Sequence, residues 1–231
     1  MNYSDIYAKK IALFDGIAEA DLERMLSCLG ATIATFEKGG YILMAGEMTH
    51  HVGVLLSGHA TIFKDDILGN RSVIASLSAA EIFAESFVCA GMLQSPVTVQ
   101  ANTAVSVLKI SFHKIIRTCP SGCAFHTTLI QNMLGILACK NISLTRKIDH
   151  ISKKTMRQKL ASYLLGQAAA AHSDTFTIDL DRQALADYLC VNRSALSREL
   201  SRLRSDSILD FNKNLFTIHS MSGLKNIMLL D

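Results

Sequence analysis

Three groups of residues in this chain have types and spacings that could do chemistry. The segment CPSGCAFH (119–126) sets Cys119, Cys123 and His126 in a C-x3-C-x2-H spacing at the start of a helical stretch. Thiolates and imidazole are ligands of zinc and iron–sulfur centres, and a helix N-terminus lowers a thiol pKa, so the set fits a partial metal site or a redox pair. A fourth ligand is not evident: Cys89 or Cys139 could supply one through folding or a second copy of the chain, and buried structural cysteines beside a boundary histidine are the alternative. The second group, His50, His51, His59 and Glu85, offers the N3O ligand set of a metalloenzyme built on a β-barrel. Adjacent residues of a strand point to opposite faces, so His50 and His51 cannot both face inward without a bulge. No Gly-rich phosphate loop, HExxH or nucleophile elbow accompanies them, and the expectation is a protein that is not an enzyme. The third group is Arg193, Ser194, Ser197 and Arg198. Arg bridges the acceptors of guanine in the major groove and Ser pairs with several base edges, which is the chemistry of duplex DNA recognition.

That third group needs a scaffold, and the surrounding sequence supplies one. Asp181 can cap a helix over about 182–189, Cys190, Val191 and Asn192 make a break too short for a loop, and Asn192 can cap the next helix. Leu185, Ala186 and Leu189 then face Leu196, Leu200 and Leu203, the packing of a helix-turn-helix. Positions 194, 197 and 198 share the opposite face. Arg182 and Gln183, at the start of the first helix, are placed to touch phosphate, so Arg182→Ala is expected to weaken binding to all sequences alike. Ile208 to Phe211 and Leu215 to Ile218, joined by Asn212, Lys213 and Asn214, read as a hairpin wing; an ordinary αα-hairpin with solvated arginines is the bland alternative.

Upstream, Ile130, Leu134, Leu137, Asn141, Leu144, Ile148 and Ile151 alternate in steps of four and three, the seam of a coiled coil. Asn141 at a first core position would fix register and favour a parallel dimer; a helix packed on its own domain is the other reading. Before Pro120 the pattern is of short β-favouring runs: 32–36, 41–44, 51–57, 60–64, 72–77, 97–101 and 104–110, separated by turn residues, after a helical entry over 5–30. Many short strands at regular spacing suggest a sandwich or barrel. The expected organisation is α+β: a β-rich domain over 1–122, a dimerisation helix over 123–152, and a winged helix-turn-helix domain over 153–231.

With 231 residues, 49% of them hydrophobic, the chain can bury two modest cores. No run reaches the roughly 18 apolar residues of a membrane span and the N-terminus lacks signal-peptide features, so a cytoplasmic protein with no membrane partner is expected. Six dispersed cysteines then suit reduced thiols. The net charge of +3 is uninformative by itself, but residues from Arg146 onward carry 13 Lys and Arg against 9 Asp and Glu, while residues 1–145 carry 10 against 11. The basic excess sits where phosphate would be met, although an excess this small also suits a solvated face.

The segment DRQALADYLCVNRSALSR (181–198) resembles the helix-turn-helix of the Crp/Fnr superfamily, named after the cyclic-AMP receptor protein and the fumarate-nitrate regulator. FEKGGYILMAGE (36–47), VGVLLSGHATIFK (52–64), AEIFAES (80–86) and SPVTVQA (95–101) fall in the order of that family's cyclic-nucleotide-binding-like β-roll, so the likeness spans nearly the whole chain. It implies that residues 1–122 form a sensor domain built as a β-roll of the double-stranded β-helix or jelly-roll type, in a homodimeric transcription regulator that binds an inverted repeat of double-stranded DNA, with RNA polymerase as a partner if it activates, and a small-molecule or redox signal read by the roll. Cys190 stands where glycine is common in such turns. Cyclic-nucleotide binders of the family hold the phosphate with a Gly-Glu pair followed by Arg-Ser or Arg-Thr; this chain keeps Glu85 after Ala84, has Ser95 and Pro96 in place of the second pair, and has no basic residue between Arg71 and Lys109. An anion beside Glu85 without a guanidinium would be strongly disfavoured, so cyclic AMP is not the expected effector. Another small molecule near Glu85, Ser86 and Ser95, or a filled roll without ligand, are the two expectations, and no cofactor is named by the sequence. Family members with an iron–sulfur cluster place their cysteines differently from Cys119 and Cys123. The competing classes are a cupin-like metalloenzyme, which leaves the last 50 residues unexplained, and a protein-interaction module, which would bind no duplex.

Overall fold

A computed structural model describes residues 6–117 and 125–229. The chain divides into two compact units, Met1–Cys139 and Lys140–Asp231.

Early in the first unit come a 3-10 turn, Ala12–Phe14, and a helix, α1 (Glu19–Cys28). Eight strands follow: β1 (Thr32–Phe36), β2 (Tyr41–Leu43), β3 (His51–Ser57), β4 (Ala60–Asp65), β5 (Arg71–Leu77), β6 (Ile82–Phe83), β7 (Thr98–Ala101) and β8 (Val105–Ser111). They form two four-stranded antiparallel sheets, ordered β1-β8-β3-β6 and β2-β7-β4-β5, as in a jelly roll. The β-branched and aliphatic runs supply the interior: Val52, Val54, Leu55 and Leu56 of β3, Val105, Val107, Leu108 and Ile110 of β8, and Val99 and Ala101 of β7 are all buried in one cluster. Two glycines are required by geometry. Gly58, at φ +80°, turns β3 into β4 where a Cβ would strike the Ala104 carbonyl, and a Cβ on Gly53 would lie 2.1 Å from the Phe83 ring that covers it.

Two short helices, α2 (Glu85–Cys89) and α3 (Phe112–Ile116), flank β7 and β8, and the long helix α4 (Phe125–Ile151) follows. Phe125, Leu129 and Met133, spaced by four, are buried in the core of the first unit. Asn132 pins the same stretch by donating from Nδ2 to the carbonyls of Leu13 (3.0 Å) and Asp15 (2.8 Å).

The second unit contains the C-terminal part of α4, then α5 (Met156–Ala171), β9 (Thr175–Thr177), α6 (Arg182–Tyr188), α7 (Arg193–Ser205), β10 (Leu209–Asn212), β11 (Leu215–Ile218) and α8 (Met221–Leu229). Each start is chemically marked. Thr155 and Gln158 form a reciprocal capping box on α5, Asp181 accepts from Ala184 N at 2.8 Å to cap α6, and Asn192 accepts from Ser194 N at 2.9 Å to cap α7. Leu185, Ala186, Leu189, Leu196, Leu200 and Leu203 are buried together with Leu160, Leu164, Phe216 and Leu224. The hairpin β10–β11 acquires a third strand, β9, with Phe176 paired to Phe216. That strand and helix α5 carry weak period signals in the sequence. Among the described residues no helix is long and apolar enough to cross a membrane.

Candidate nucleic-acid interface and sensor pocket

In the second unit, α6 and α7 meet at a turn in which Cys190 adopts φ +54°, the left-handed conformation that explains why glycine is common there. Its Cβ makes the geometry costly without preventing it. From this turn α7 presents Arg193, Ser194, Ser197 and Arg198, all exposed, while Leu196 and Leu200 are buried on the other face. The two serines are engaged locally: Ser194 Oγ donates to the capping Asn192 Oδ1 at 2.6 Å, and Ser197 Oγ donates back to the Arg193 carbonyl at 3.0 Å. A hydroxyl can rotate to a base edge, so both keep recognition capacity.

The arginines divide by role. Arg182 is half-buried, with its guanidinium 5.0 Å from the Phe211 ring and 5.6 Å from Phe216 and with Nη2 donating to the Lys213 carbonyl at 3.1 Å. It ties α6 to the β10–β11 turn, and burial lowers its pKa. Gln183 is exposed and donates to Asp187 on its own helix at 2.9 Å. Arg204 lies 3.9 Å over Phe211, pairs with Asp210 at 2.6 Å and donates to the Phe211 carbonyl. Arg157 of α5 reaches Glu199 at 3.1 Å and Asp206 at 2.6 Å, and Arg202 reaches Glu199 at 3.4 Å. Glu199 is buried, so this ionic group fixes α7 on α5. The sequence reading missed it because partners 42 residues apart leave no local signal.

At the end of the long helix, His150 is buried with Nδ1 2.9 Å from Ser162 Oγ, its ring 5.7 Å from Tyr163 and 6.2 Å from Tyr188. Burial lowers its pKa first of all; Asp149 opposes that, and Lys153 and Arg146 add to it. Tyr163 is pushed up to about 12 by the same burial, with Tyr188 and Asp179 assisting, so it stays a neutral hydroxyl.

The seam residues of α4 are distributed unevenly. Ile130 and Leu137 are half-buried on the sensor core, Ile151 is half-buried, and Leu134 (62%), Leu144 (62%) and Ile148 (61%) are exposed, as is Asn141, which accepts from Thr145 Oγ1 at 3.4 Å. Ile142, beside Asn141, is exposed as well.

In the sensor unit, Ala84 precedes α2 at φ +68° and Ala80 stands at φ +72°, so both ends of β6 hold alanine in the left-handed region. Glu85 and Ser95 are buried, and Ser86 is exposed. Ser95 Oγ closes its own turn, donating to the Val97 carbonyl at 2.7 Å and accepting from Val97 N at 3.3 Å. Arg71 is exposed, paired with Asp65 at 3.1 Å and stacked 3.5 Å over Phe63. A nearby cavity of about 100 Å³ touches Ala84, Phe83, Glu47, His51 and Lys109. Pockets for drug-sized ligands run to roughly 300–1,000 Å³, so this one would have to open to admit a nucleotide.

The metal-ligand candidates separate. His51 begins β3 and His59 stands in the turn between β3 and β4, both exposed, while Glu85 is buried and His50 pairs its ring with His113 at 5.8 Å. Among the described residues no three His, Cys, Asp or Glu gather as ligands, and the cupin-like reading finds no support in the geometry. Cys119 and Cys123 lie outside the described residues. His126 is buried, with Cys28 Sγ 3.5 Å from its Nε2 and the Ile115 carbonyl 3.5 Å from its Nδ1; Cys28, one of the six dispersed cysteines, was not singled out from the sequence as its partner.

Residues 158–227 match the Crp-like helix-turn-helix domain and residues 33–120 match the cyclic nucleotide-binding domain. No curated protein sequence matches the chain. Among solved structures, CprK complexed with OCPA is similar at a TM-score of 0.63 and 16% identity, over 89% of this chain and 93% of that one. The c-di-GMP responsive global regulator CLP of Xanthomonas campestris gives 0.55 at 15% identity, over 88% and 100%. The catabolite activator protein of Thermus thermophilus gives 0.52 at 18% identity, over 94% and 98%. At these identities the likeness is one of fold.

Proposed function

Because the chain belongs to the Crp/Fnr superfamily of transcription regulators, we propose that it acts as a homodimer that reads an inverted repeat in double-stranded DNA through α7, under control of a signal received by the sensor roll. The observation that carries this reading is the exposed face of α7, where Arg193, Ser194, Ser197 and Arg198 stand clear of the leucines that seat the helix. Arg198 and Arg193 supply the base and phosphate contacts, and Gln183 supports them from α6. Arg182 acts through the wing, which its guanidinium holds in place.

The dimer forms along α4. Leu134, Leu144 and Ile148 are large apolar side chains left in water by a single chain, and a parallel partner would bury them with Asn141 setting the register. Two recognition helices would then meet half-sites roughly 34 Å apart. The working division is a sensor over 1–122, a dimer helix over 123–152 and a DNA-binding domain over 153–231, with RNA polymerase as a further partner where the protein activates.

The effector is a small molecule other than cyclic AMP, or a redox event. Glu85 and Ser95 are buried in a stretch without a basic residue, and the ammonium that lines the neighbouring cavity, Lys109, is carried by β8. A ligand at Glu85, Ser86 and Ser95 would be a hydrogen-bond donor rather than an anion. The test is selection of bound sequences from a random duplex library, with protein prepared with and without oxygen. An enriched inverted repeat is the expected result; no enrichment in either preparation, with added metabolites also failing, would overturn the DNA-binding reading. Saturable calorimetric binding of cyclic AMP at micromolar concentration would overturn the effector reading alone.

A further inference from the structure

His150 stands one residue before the end of α4, and its ring is where that helix meets two helices of the DNA-binding unit. The imidazole is buried, with Nδ1 2.9 Å from Ser162 Oγ of α5, and it meets the Tyr163 ring edge-on at 5.7 Å. Tyr188, the last residue of α6, lies 6.2 Å from the same ring and 5.3 Å from Tyr163. One turn earlier on α4, the Lys147 ammonium stands 5.4 Å over the Tyr188 ring. Gly166 of α5 makes room for the imidazole: a Cβ there would already touch it, 3.4 Å from Cε1. We propose that His150 is a positioning residue for DNA reading: neutral, it latches the end of α4 to α5 and α6 and so sets the placement of α7, and a proton on its ring opens the latch. This role presupposes that the chain is a dimeric DNA-binding regulator.

The route from the ring to DNA runs through α6. Its Leu185 and Ala186 are packed in one core with Leu196, Leu200 and Leu203 of α7, so α6 carries α7 with it when Tyr188 moves. The surroundings of the ring favour its neutral form. On α4 it is faced by Arg146, Lys147 and Asp149, and Lys153 follows the helix; Asp149 is already paired with Lys153 at 2.8 Å. From α5 and α6 come Tyr163, a hydroxyl pushed up to about 12, and Tyr188, which burial also raises, so neither offers a negative charge. Asp179, after β9, faces Tyr163 and opposes its ionisation. An imidazolium would add a cation to a desolvated position beside Arg146 and Lys153, with Asp149 already engaged. Burial accordingly holds the His150 pKa below its ordinary 6.5. With the latch open the ring enters water and regains the ordinary value, so protons bind the open form first: the latch is complete above pH 6.5 and is lost as pH falls below it.

The test uses the full-length protein and the inverted repeat it selects from random duplex, together with repeats lengthened or shortened by two base pairs at the centre. A closed latch fixes the distance between two recognition helices, so spacing is the readout that simple loss of stability would not move. The wild type should bind the native spacing about threefold to tenfold more weakly at pH 5.5 than at pH 7.5, and the altered spacings should lose less. His150→Gln keeps a hydrogen-bonding amide that does not titrate, and should hold both affinity and spacing preference across that range. The exposed His172 and His219 still titrate in it, so the difference from the wild type reports His150 alone. His150→Ala should relax the spacing preference at pH 7.5, Tyr188→Leu should do the same from the α6 side, and the double variant should add little. Circular dichroism melts establish that each variant is folded at the assay temperature; if His150→Ala is not, Tyr188→Leu decides. An identical pH profile in wild type and His150→Gln, or strict spacing in a folded His150→Ala or Tyr188→Leu, would overturn the latch. Selection of no repeat by the wild type at either pH would instead overturn the DNA-binding reading and the latch with it.

Discussion

Each unit of this protein buries a glutamate, and the two are accommodated in different ways. Glu199, under α7, has Arg157 at 3.1 Å and Arg202 at 3.4 Å, with Arg157 continuing to Asp206 at 2.6 Å. Glu85, at the start of α2, lies in a 37-residue stretch without Lys or Arg and shares its surroundings with Cys89, whose thiol is pushed up by burial and by that carboxylate. A buried carboxylate flanked by arginines fixes helices, because moving either helix would strand a charge. Glu85 instead stands beside a thiol at the start of a short helix, with no Lys or Arg near it in sequence. The comparison is thus between a carboxylate locked by arginines in the DNA-binding unit and one neighboured by a thiol in the sensor unit.

The contrast can be broken most sharply by removing Arg157. Arg157→Ala should cost about 2–3 kcal/mol in the C-terminal unit, read by urea denaturation, because Glu199 keeps only the exposed Arg202. Glu85→Gln should cost less than half of that; an equal loss would abolish the distinction. At the interface, Arg198→Ala should cost about 1–3 kcal/mol in binding to the selected operator and little on random duplex. Arg182→Ala separates two roles. Loss of its stacking and its bond to Lys213 should lower stability by about 1 kcal/mol, whereas a lowered salt slope at unchanged stability would restore the phosphate-contact expectation.

Smaller effects probe two of the left-handed positions, one in each unit. Cys190→Gly in one unit and Ala84→Gly in the other should each raise stability by about 1 kcal/mol, since both side chains now sit at positive φ. The smallest effect is the pH dependence of the C-terminal unit. His150 has its folded pKa below the ordinary 6.5, so above 6.5 both states are neutral and its stabilising contribution is complete. As pH falls through 6.5 the unfolded chain takes the proton first and stability drops until the folded pKa is passed. Thermal unfolding between pH 7.5 and 5 should show this slope, and His150→Gln should flatten it.

Much of the fold was legible in the sequence because its signals are local. The runs at 32–36 and 51–57 coincide with β1 and β3, Asp181 and Asn192 cap α6 and α7 as their side chains require, and the leucines of α7 bury the face that their spacing marks. The exposed donors of α7 follow from the same periodicity. Less legible were the two-residue strand β6, too short to carry a pattern, and β9, which is a strand because Phe176 finds Phe216 across the sheet.

What the sequence determined by itself was the order of elements, the amphipathic faces and the residue types available to each site, all set by backbone propensity and side-chain period. What the tertiary structure decided was partnership. Arg182 was drawn from the solvent to the wing by Phe211 and Phe216, Glu199 found Arg157 from 42 residues away, and Cys28 met His126 across 98. Such pairings depend on how helices and sheets pack, and no spacing along the chain encodes a contact that only folding brings together.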